Sequence, residues 1–266
     1  MQYKLLEQNI GVEIFDFDFN HLIQEVIQEI INKLSQHKII IFRRAELSEN
    51  QLVRLSECLG IPVKYPFGGG SIETEIVNKK GAKSKFSQRW HVDSSYLENI
   101  PKYTLLHAKK IPKKGGETVF VDTVSAFNDL SPFIQELLKS LKIINSSDKF
   151  GISRAPYLNI SLEDNLTKES FEKVISAKHN LTFEDSLTSE ISIIASEEHT
   201  TRIEGLSDIE SDAVLNLLKE HLNKQEHILK VSWKENDLAI WCNQKLQHRA
   251  LKNYTDERVM KRIIVG

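Results

Sequence analysis

The sequence predicts an α+β fold that is mainly β: a double-stranded β-helix, or jelly roll, with flanking helices and a lid-like insertion. Three observations carry this prediction, namely strand patterns at both ends of the chain, amphipathic helices that can pack against them, and a polar stretch between. The 266 residues fit one elaborated domain over 1–266, because all-β domains of this length are common. A chain of this size buries about 70–75% of its unfolded surface, so its core needs neither disulfides nor a structural zinc.

The composition of the chain argues against several classes of function and of partner. The formal net charge is -2 and there is no basic block, which argues against a nucleic-acid partner because such binding depends on phosphate neutralisation. The two cysteines, Cys58 and Cys242, lie far apart and form no C-x-x-C motif, which fits a reducing cytoplasm. The chain starts without an apolar signal region and contains no run of about 18 apolar residues. We therefore expect a soluble, cytoplasmic protein without a membrane partner.

The first quarter of the chain alternates strands and helices. Residues 11–14 predict a short strand, and residues 38–42 predict a buried strand from their β-branched run. Between them, apolar pairs recur at the helical period over residues 21–36. A capping box at Ser48-Glu49-Asn50-Gln51 opens a second helix, for which Gly60 is the expected end.

The middle of the chain predicts strands joined by glycine-rich turns. Tyr65–Gly70 ends in three glycines, so we expect either a mobile loop near the site or a simple surface turn. Strand patterns follow at residues 73–77, 103–108 and 118–121. Gly115-Gly116 predicts a turn into the last of these strands, most simply a hairpin connection.

The second half predicts helices, an insertion and a return to strands. Asp122 is a candidate cap for helical residues from Ser125, and residues 132–141 predict a further helix. We assign about 142–200 to a variable insertion or lid, because the chain is polar and aperiodic over 161–190. A second capping box opens a helix over 207–222, and strand patterns complete the chain at 228–233, 237–241 and 258–265.

The strongest candidate site combines Trp90-His91-Val92-Asp93-Ser94 with the distant His248. A His and an Asp two apart on an extended segment point to the same side, so both can reach one ion. Two histidines and one carboxylate on one face of an octahedron leave three positions open, as in non-haem Fe(II) oxygenases. The His-x-Asp tripeptide alone is a weak signal. The remaining histidines lie in no ligand-like spacing.

Two arginines near the carboxyl end add to this site. Alternation on a strand places Arg258, Met260 and Arg262 on one face, which in a barrel can be the interior. A guanidinium in a barrel interior is costly unless it meets an anion. A core carboxylate as partner, or a position at the solvated rim, is the alternative for either arginine alone.

With these residues in place, the sequence resembles the taurine/2-oxoglutarate dioxygenase family of the TauD/TfdA type, whose members are Fe(II)-dependent oxygenases. The matching segments run in family order from about residue 55 to the carboxyl end. They are Trp90-His91-x-Asp93, Pro112-x-x-Gly115-Gly116-Glu117-Thr118, Glu198–Ile203, Asn236–Trp241 with Asn243, and Gln247-His248-x-Ala250 with Arg258 and Arg262 beyond. Only about 142–197 departs clearly, because the usual His-Pro-centred segment is absent there.

The resemblance implies roles for five residues. His91, Asp93 and His248 would hold Fe(II), and Thr118 and Arg258 would bind the distal carboxylate of 2-oxoglutarate. With O2 as the second co-substrate, the family's chemistry releases succinate and CO2 and oxidises an unactivated C–H bond. Because Asp93 is present where related halogenases lack a carboxylate, hydroxylation, desaturation or oxidative rearrangement is favoured over halogenation.

For the substrate, the resemblance implies a small anionic molecule whose charged group meets Arg262. Pro62 and Ser87 stand where taurine enzymes place a His and an Asn, so we expect an organic acid or amino-acid derivative of secondary metabolism rather than taurine. The residues assigned to substrate binding are Arg262, Tyr65, Ser87, Phe67, Trp90, Arg154 and Tyr157.

Three alternatives stay open at this point. One is a catabolic dioxygenase of the taurine or alkylsulfonate type. The others are a metal-dependent hydrolase with zinc at the same ligands and a non-catalytic barrel that binds a metabolite. The pair Thr118 and Arg258 favours the oxygenase over the hydrolase and the metabolite-binding barrel, because neither of these needs residues dedicated to a dicarboxylate. The sequence leaves a homo-oligomer open.

Overall fold

The computed structural model describes residues 2–6, 10–67, 70–80, 87–147 and 174–266. Its strands are β1 (Tyr3–Leu5), β2 (Val12–Phe15), β3 (Ile39–Arg43), β4 (Glu73–Asn78), β5 (Tyr103–Lys110), β6 (Thr118–Asp122), β7 (Lys142–Ser146), β8 (Ser176–Asn180), β9 (Thr182–Glu184), β10 (Ile191–Ile193), β11 (Thr200–Ile203), β12 (Ile228–Val231), β13 (Leu238–Cys242), β14 (Leu246–Ala250) and β15 (Arg258–Val265). The helices are α1 (Gln24–His37), α2 (Glu49–Leu59), α3 (Thr123–Asn128), α4 (Pro132–Ser140) and α5 (Asp208–Leu222), and a 3-10 turn spans Gln225–His227. The fold is mainly β with several helices.

The largest sheet has seven strands in the order β1-β2-β3-β13-β5-β15-β4. Both of its faces are covered, so the central strand β13 is buried and apolar at every position. In β3, Ile40 and Phe42 face the cluster formed with α1 and α2, whereas Ile39 and Ile41 face the cluster on the opposite side. This alternation follows from the two-residue period of a strand.

Helices α1 and α2 close the outer face of the large sheet. Ile27, Ile30 and Leu34 of α1 are buried against the sheet, and burying each such side chain stabilises the fold by about 1.5–3 kcal/mol. Helix α2 begins at the capping box in which the Ser48 hydroxyl accepts from the Gln51 amide. Both predicted helices are therefore confirmed, with ends within three residues of those expected.

A three-stranded sheet, β12-β6-β14, packs on the inner face of the large one. Phe120 and Leu246 from this sheet meet Trp241 and Met260 from the large sheet, and all four side chains are fully buried. Met260 lies between Arg258 and Arg262, and all three are buried as the alternation predicted. The space between the sheets therefore receives both arginines.

The outer side of the small sheet carries α3, α5 and the sheets β11-β7-β8 and β10-β9. As predicted, Asp122 caps α3 by accepting from the Val124 and Ser125 amides at 3.0 and 3.2 Å. Regular strands at 176–184 contradict the expected lack of periodicity in the part of 161–190 that the structure describes.

A second difference concerns residues 90–94, which form an isolated bridge at His91 followed by turns rather than a strand. Ser94 adopts a φ of 53°, and this left-handed residue ends the extended backbone directly after Asp93. The two metal-ligand candidates still project to one side, since only Val92 separates them. No helix among the described residues is long and apolar enough to cross a membrane.

A buried ion-pair group ties β3 to the start of β13. Arg43 Nη1 lies 2.5 Å from Asp237 Oδ2, and its Nη2 lies 2.5 Å from Glu13 Oε1. The Asp237 side chain is fully buried and also accepts from the Lys234 and Arg44 amides. Removing the arginine would leave this carboxylate buried without a countercharge.

We expect Arg43→Met to lower the free energy of unfolding by about 3–5 kcal/mol, because an uncompensated buried charge is left behind. Urea denaturation followed by circular dichroism measures the change. Arg44→Met is the matched control, because Arg44 pairs with Asp16 at the solvent-exposed surface and should affect the midpoint little. Equal effects of the two variants would show that the buried group does not stabilise the sheet.

Candidate metal centre and adjoining cavity

His91 and His248 face each other across the bridge between the 90–94 segment and β14. The His91 amide donates to the His248 carbonyl at 3.2 Å, and the His248 amide donates back at 3.0 Å. Nδ1 of His91 lies 2.9 Å from the Arg89 carbonyl. A proton on Nδ1 donates to that oxygen, so Nε2 keeps its lone pair for a metal ion.

The carboxylate of Asp93 lies between the two imidazoles. Its Oδ1 is 3.8 Å from His91 Nε2, and its Oδ2 is 3.7 Å from His248 Nε2. The three ligand atoms lie within 4.8 Å of one another, and all three residues are buried. Thr104 donates to Oδ2 at 3.1 Å, and Arg262 Nη1 donates to Oδ1 at 2.7 Å.

Asn243, in the turn between β13 and β14, fixes the backbone of Asp93. Its Oδ1 accepts from the Asp93 amide at 2.9 Å, and its Nδ2 donates to the Asp93 and Pro101 carbonyls at 2.9 and 3.0 Å. Asn243 is fully buried, so these bonds satisfy backbone groups that water does not reach. Asn243 stands in one of the matching sequence segments, but the sequence indicated no role for it.

Charge and burial prepare these residues for a cation. Burial alone would raise the pKa of Asp93, but the Arg262 guanidinium and the two imidazoles reverse this effect and hold it well below its usual range. Burial, together with the neighbouring His91, lowers the pKa of His248 to about 3. Asp93 is therefore ionised and His248 neutral at neutral pH. Two imidazole nitrogens and one carboxylate on one side suit Fe(II) with open positions for ligands.

A cavity extends from the histidines toward the start of β15. Its lining residues are Ile76, Val77, Asn78, Ser87, His91, Leu106, Thr118, Trp241, His248, Ala250, Lys252, Tyr254, Arg258 and Arg262. Trp241 and Phe120 flank the His248 ring, with ring centroids 4.8 and 5.8 Å from it. This packing fixes the plane of the imidazole. The described lining is cationic and contains no carboxylate.

Thr118 and Arg258, the two candidate co-substrate residues, lie side by side in this cavity. Arg258 Nε donates to the Gly116 carbonyl at 3.1 Å, and its Nη2 lies 3.4 Å from the Thr118 hydroxyl oxygen. That oxygen also accepts from Trp233 Nε1 at 3.0 Å. Because the oxygen accepts these bonds, the hydroxyl proton of Thr118 can donate to an incoming anion.

The Gly115-Gly116 turn does more than connect two strands. Gly116 has a φ of 78°, and a Cβ there would lie 2.7 Å from Pro112 Cγ. Its amide donates to Asn253 Oδ1, and its carbonyl accepts from Arg258. Only glycine fits this turn without strain, and the turn orients the buried guanidinium.

On the other side of Asp93, aromatic rings surround Arg262. Arg262 Cζ lies 5.3 Å from the centroid of the Tyr65 ring. Tyr65 contacts Phe67 edge-on at 5.6 Å between centroids, and Phe67 contacts Tyr96 at 5.8 Å. Tyr96 in turn contacts His199, whose ring lies 6.0 Å from that of His91. The structure thus brings the substrate candidates Arg262, Tyr65 and Phe67 together.

The other residues assigned to substrate binding have different outcomes. Ser87 lines the cavity, and its carbonyl accepts from the Ala250 amide at 2.7 Å. The assignment of Trp90 to substrate binding is corrected. Its ring is packed in the core on the side away from His91, and its Nε1 donates to Asn223 Oδ1 at 3.1 Å. Arg154 and Tyr157 lie outside the described residues.

Several site residues had no role assigned from the sequence. Thr104, Tyr96 and His199 contact the metal ligands or the aromatic group only because distant elements meet there. Lys252 and Tyr254 line the cavity beside Arg258. None of these five lies in a spacing that identifies a role.

A second cluster of metal-ligand residue types, Asp129, His221 and His227, was also missed. Two of its three residues already have hydrogen-bond partners. Lys224 Nζ lies 2.5 Å from Asp129 Oδ2, and His221 Nε2 lies 2.7 Å from the Ala126 carbonyl. We therefore assign this cluster a structural role at the end of α5.

The mainly β fold and the His/Asp/His ligand set define the class of non-haem Fe(II) oxygenases. Comparison with known proteins gives the particular family. The family model described as "Taurine catabolism dioxygenase TauD, TfdA family" matches residues 2–264. The chain belongs to this family, and it is an Fe(II)- and 2-oxoglutarate-dependent dioxygenase.

Individual proteins resemble the chain in sequence or in fold. An alkylsulfatase of Acinetobacter baylyi is 28% identical over 100% of this chain and 85% of its own. An alpha-ketoglutarate-dependent sulfate ester dioxygenase of Pseudomonas putida is 26% identical over 90% and 80%. The crystal structure of a taurine dioxygenase from Burkholderia xenovorans has a TM-score of 0.81 and 24% identity, and covers 99% of this chain and 88% of that one.

The lowered pKa of His248 predicts how stability depends on pH. The unfolded chain takes up a proton on His248 near pH 6.5, whereas the fold resists protonation down to about pH 3, so stability is lost as the pH falls through this window. Between about pH 7 and about pH 5 this contribution amounts to roughly 2 kcal/mol. Urea denaturation of the metal-free protein at both pH values should show this loss.

His248→Asn is the control, because the amide keeps a polar side chain but does not titrate. The variant should lose roughly 2 kcal/mol less than the wild type over the same pH interval. Parallel losses in the two proteins would show that His248 is not the titrating group.

Proposed function

We propose that His91, Asp93 and His248 hold Fe(II), and that Thr118 and Arg258 bind the distal carboxylate of 2-oxoglutarate. The observation that carries this proposal is the convergence of the three ligand residues beside a cavity that also contains both co-substrate residues. When bound, Fe(II) and 2-oxoglutarate supply the oxidising chemistry, with consumption of O2 and release of succinate and CO2. The protein supplies ligands, charge and orientation.

Strand register supports a metal position at one end of the cavity and a site for the distal carboxylate at the other. His248 pairs with Phe120 across β14 and β6, and Ala250 pairs with Thr118 two residues further along. A ligand that reaches from the metal to Thr118 therefore spans about 6–7 Å, the length of two residues in a strand. A five-carbon dicarboxylate has about this reach, so its far end can meet Arg258.

Arg262 is the proposed anchor for the substrate. One of its N–H groups donates to Asp93, and the remaining donors of the guanidinium stay available for an anion. The Tyr65, Phe67 and Tyr96 rings border this position and favour an apolar chain next to the charged group. An anionic head with an apolar tail fits these surroundings.

We propose an organic sulfate ester as the substrate class. The carboxylate in contact with Arg262, that of Asp93, already pairs with the guanidinium and belongs to the proposed metal ligands, so it is not free for an ammonium group, which disfavours zwitterions such as taurine. The printed names of two relatives, an alkylsulfatase and a sulfate ester dioxygenase, support the same class. Hydroxylation of the carbon that bears the ester oxygen would give a hemiacetal sulfate. Cleavage of its C–O bond then yields an aldehyde and hydrogen sulfate, while the second oxygen atom of O2 enters succinate.

A second candidate is an organic acid or an amino-acid derivative, as the sequence suggested. Its carboxylate would meet Arg262 in the same way, and Ser87 at the cavity wall offers a hydroxyl for a further polar group. An amino-acid derivative needs a partner for its ammonium as well, which makes a non-zwitterionic acid the better fit.

We also infer that the chain works as one dioxygenase domain with a double-stranded β-helix core. The packing of β12-β6-β14 on the seven-stranded sheet supports this arrangement, and so does the family match over residues 2–264. The substrate and co-substrate sites then lie between the two sheets.

We expect Asp93→Ala and His248→Ala each to lower 2-oxoglutarate-dependent succinate formation by more than about 100-fold, because an open metal site with two ligands left binds its ion poorly. Succinate is measured with Fe(II), ascorbate and 2-oxoglutarate. Asp129→Ala, in the second cluster, is the matched control and should remain active. Normal turnover by either ligand variant would remove that residue from the site.

A panel of medium-chain alkyl sulfates, organic acids and taurine tests the substrate class. Alkyl sulfates should release sulfate and succinate in equal amounts, and Arg262→Met should raise their KM by about 10- to 100-fold, since a charge-assisted hydrogen bond contributes about 1.5–3 kcal/mol. Arg202→Met, at an exposed position on β11, is the control. Efficient sulfite release from taurine, or an unchanged KM in Arg262→Met, would contradict the proposal.

A further inference from the structure

The cavity beside the metal ligands contains a third cationic side chain, Lys252. It lies shortly after β14 and lines the cavity together with Thr118, Tyr254 and Arg258. Its Nζ atom is buried and has no hydrogen-bond partner among the described residues. The Tyr254 hydroxyl is buried in the same cavity and also makes no hydrogen bond there.

An ammonium group buried in this way is unfavourable unless an anion offsets its lost hydration. Burial accordingly lowers the pKa of Lys252, and no charge on the described residues opposes this effect. The described cavity lining includes neither Asp nor Glu. The described part of the chain thus places a cation in the cavity wall without a counter-ion for it, so a ligand is the natural source of that counter-ion.

The other charges in the cavity indicate which ligand anion would be the counter-ion of Lys252. Arg262 is already neutralised by Asp93 at 2.7 Å. Arg258, in contrast, donates to the Gly116 carbonyl and the Thr118 hydroxyl, which are both uncharged. Two cations without a carboxylate partner among the described residues, Arg258 and Lys252, therefore line the same cavity.

We propose that Lys252 is a second cationic contact for the distal carboxylate of 2-oxoglutarate and a determinant of co-substrate selectivity. A carboxylate has acceptor sites on two oxygens, so it can bind the Arg258 guanidinium and still accept from an ammonium and from the Tyr254 hydroxyl. The inference rests on the proposed function, because it deepens the description of the same co-substrate site.

The test compares two 2-oxo acids on the Mn(II)-loaded full-length protein by isothermal titration calorimetry. 2-Oxoglutarate has the distal carboxylate, whereas pyruvate has the same 2-oxo acid head without it. Lys252→Met should raise the Kd for 2-oxoglutarate about 10-fold or more and leave the Kd for pyruvate unchanged, where a tenfold change corresponds to about 1.4 kcal/mol. Lys252→Arg should recover part of the affinity for 2-oxoglutarate.

Two controls separate this role from a structural one. Lys113→Met removes a solvent-exposed lysine and should leave both Kd values unchanged. The melting temperature of ligand-free Lys252→Met should equal or exceed that of the wild type, because an unpaired buried charge has been removed. A lower melting temperature, or equal weakening of both acids, would assign Lys252 to the fold and overturn the proposal.

Other outcomes also give a clear answer. If Lys252→Met leaves 2-oxoglutarate binding unchanged but weakens binding of an alkyl sulfate, Lys252 belongs to the substrate site and the inference is wrong. If the wild-type protein with Mn(II) binds no 2-oxoglutarate, the proposed function itself fails. Normal binding by the wild type with no change in Lys252→Met overturns only the inference.

Discussion

The buried carboxylate of Asp93, shared between Arg262 and two imidazoles, is the interaction on which the site depends. Such an ion pair adds little stability compared with apolar packing of the same volume, because both charges lose their hydration. Here it keeps Asp93 ionised and holds the guanidinium next to the metal position. A divalent ion at the three ligands would supply further positive charge to Asp93. Arg262 can then direct its other donors toward a substrate anion while it keeps its contact with Oδ1.

The strand β15 sets the distance between the two anion sites. Arg258 and Arg262 lie four residues apart on one face, which corresponds to about 13 Å along a strand. The metal ligands project between them from β14 and from the turn after His91. In the proposed function, one arginine holds the far end of the co-substrate and the other holds the substrate. The rigid pairing of β15 with β5 and β4 keeps this separation fixed.

Sequence patterns predicted most of this arrangement where the signal is local. Helical periodicity and the capping boxes at Ser48 and Ser207 located α2 and α5. Alternation placed Arg258, Met260 and Arg262 on a buried face, and motif order identified His91, Asp93 and His248. The polar composition of 174–190 hid the short strands there, because those strands are half-exposed and β8 pairs with the distant β7.

Contacts that depend on tertiary structure left no such signal. Trp90 precedes the first ligand and therefore suggested a pocket residue, yet adjacent residues on extended backbone point to opposite sides, and its ring joins the core. Thr104, Tyr96 and Lys252 reach the site from separate elements that meet only in the folded protein. The sequence therefore does not show that cationic side chains gather in the wall of this cavity.

The most direct test of the central claim is the dependence of 2-oxoglutarate binding on a metal ion. Calorimetric titration of the metal-free and the Mn(II)-loaded protein should show one metal site per chain and 2-oxoglutarate binding at least about 10-fold tighter with the metal, because the co-substrate then gains its chelating contacts. This gain should disappear in Asp93→Ala. Equal affinity for 2-oxoglutarate with and without Mn(II), or an unchanged metal site in Asp93→Ala, would contradict the account.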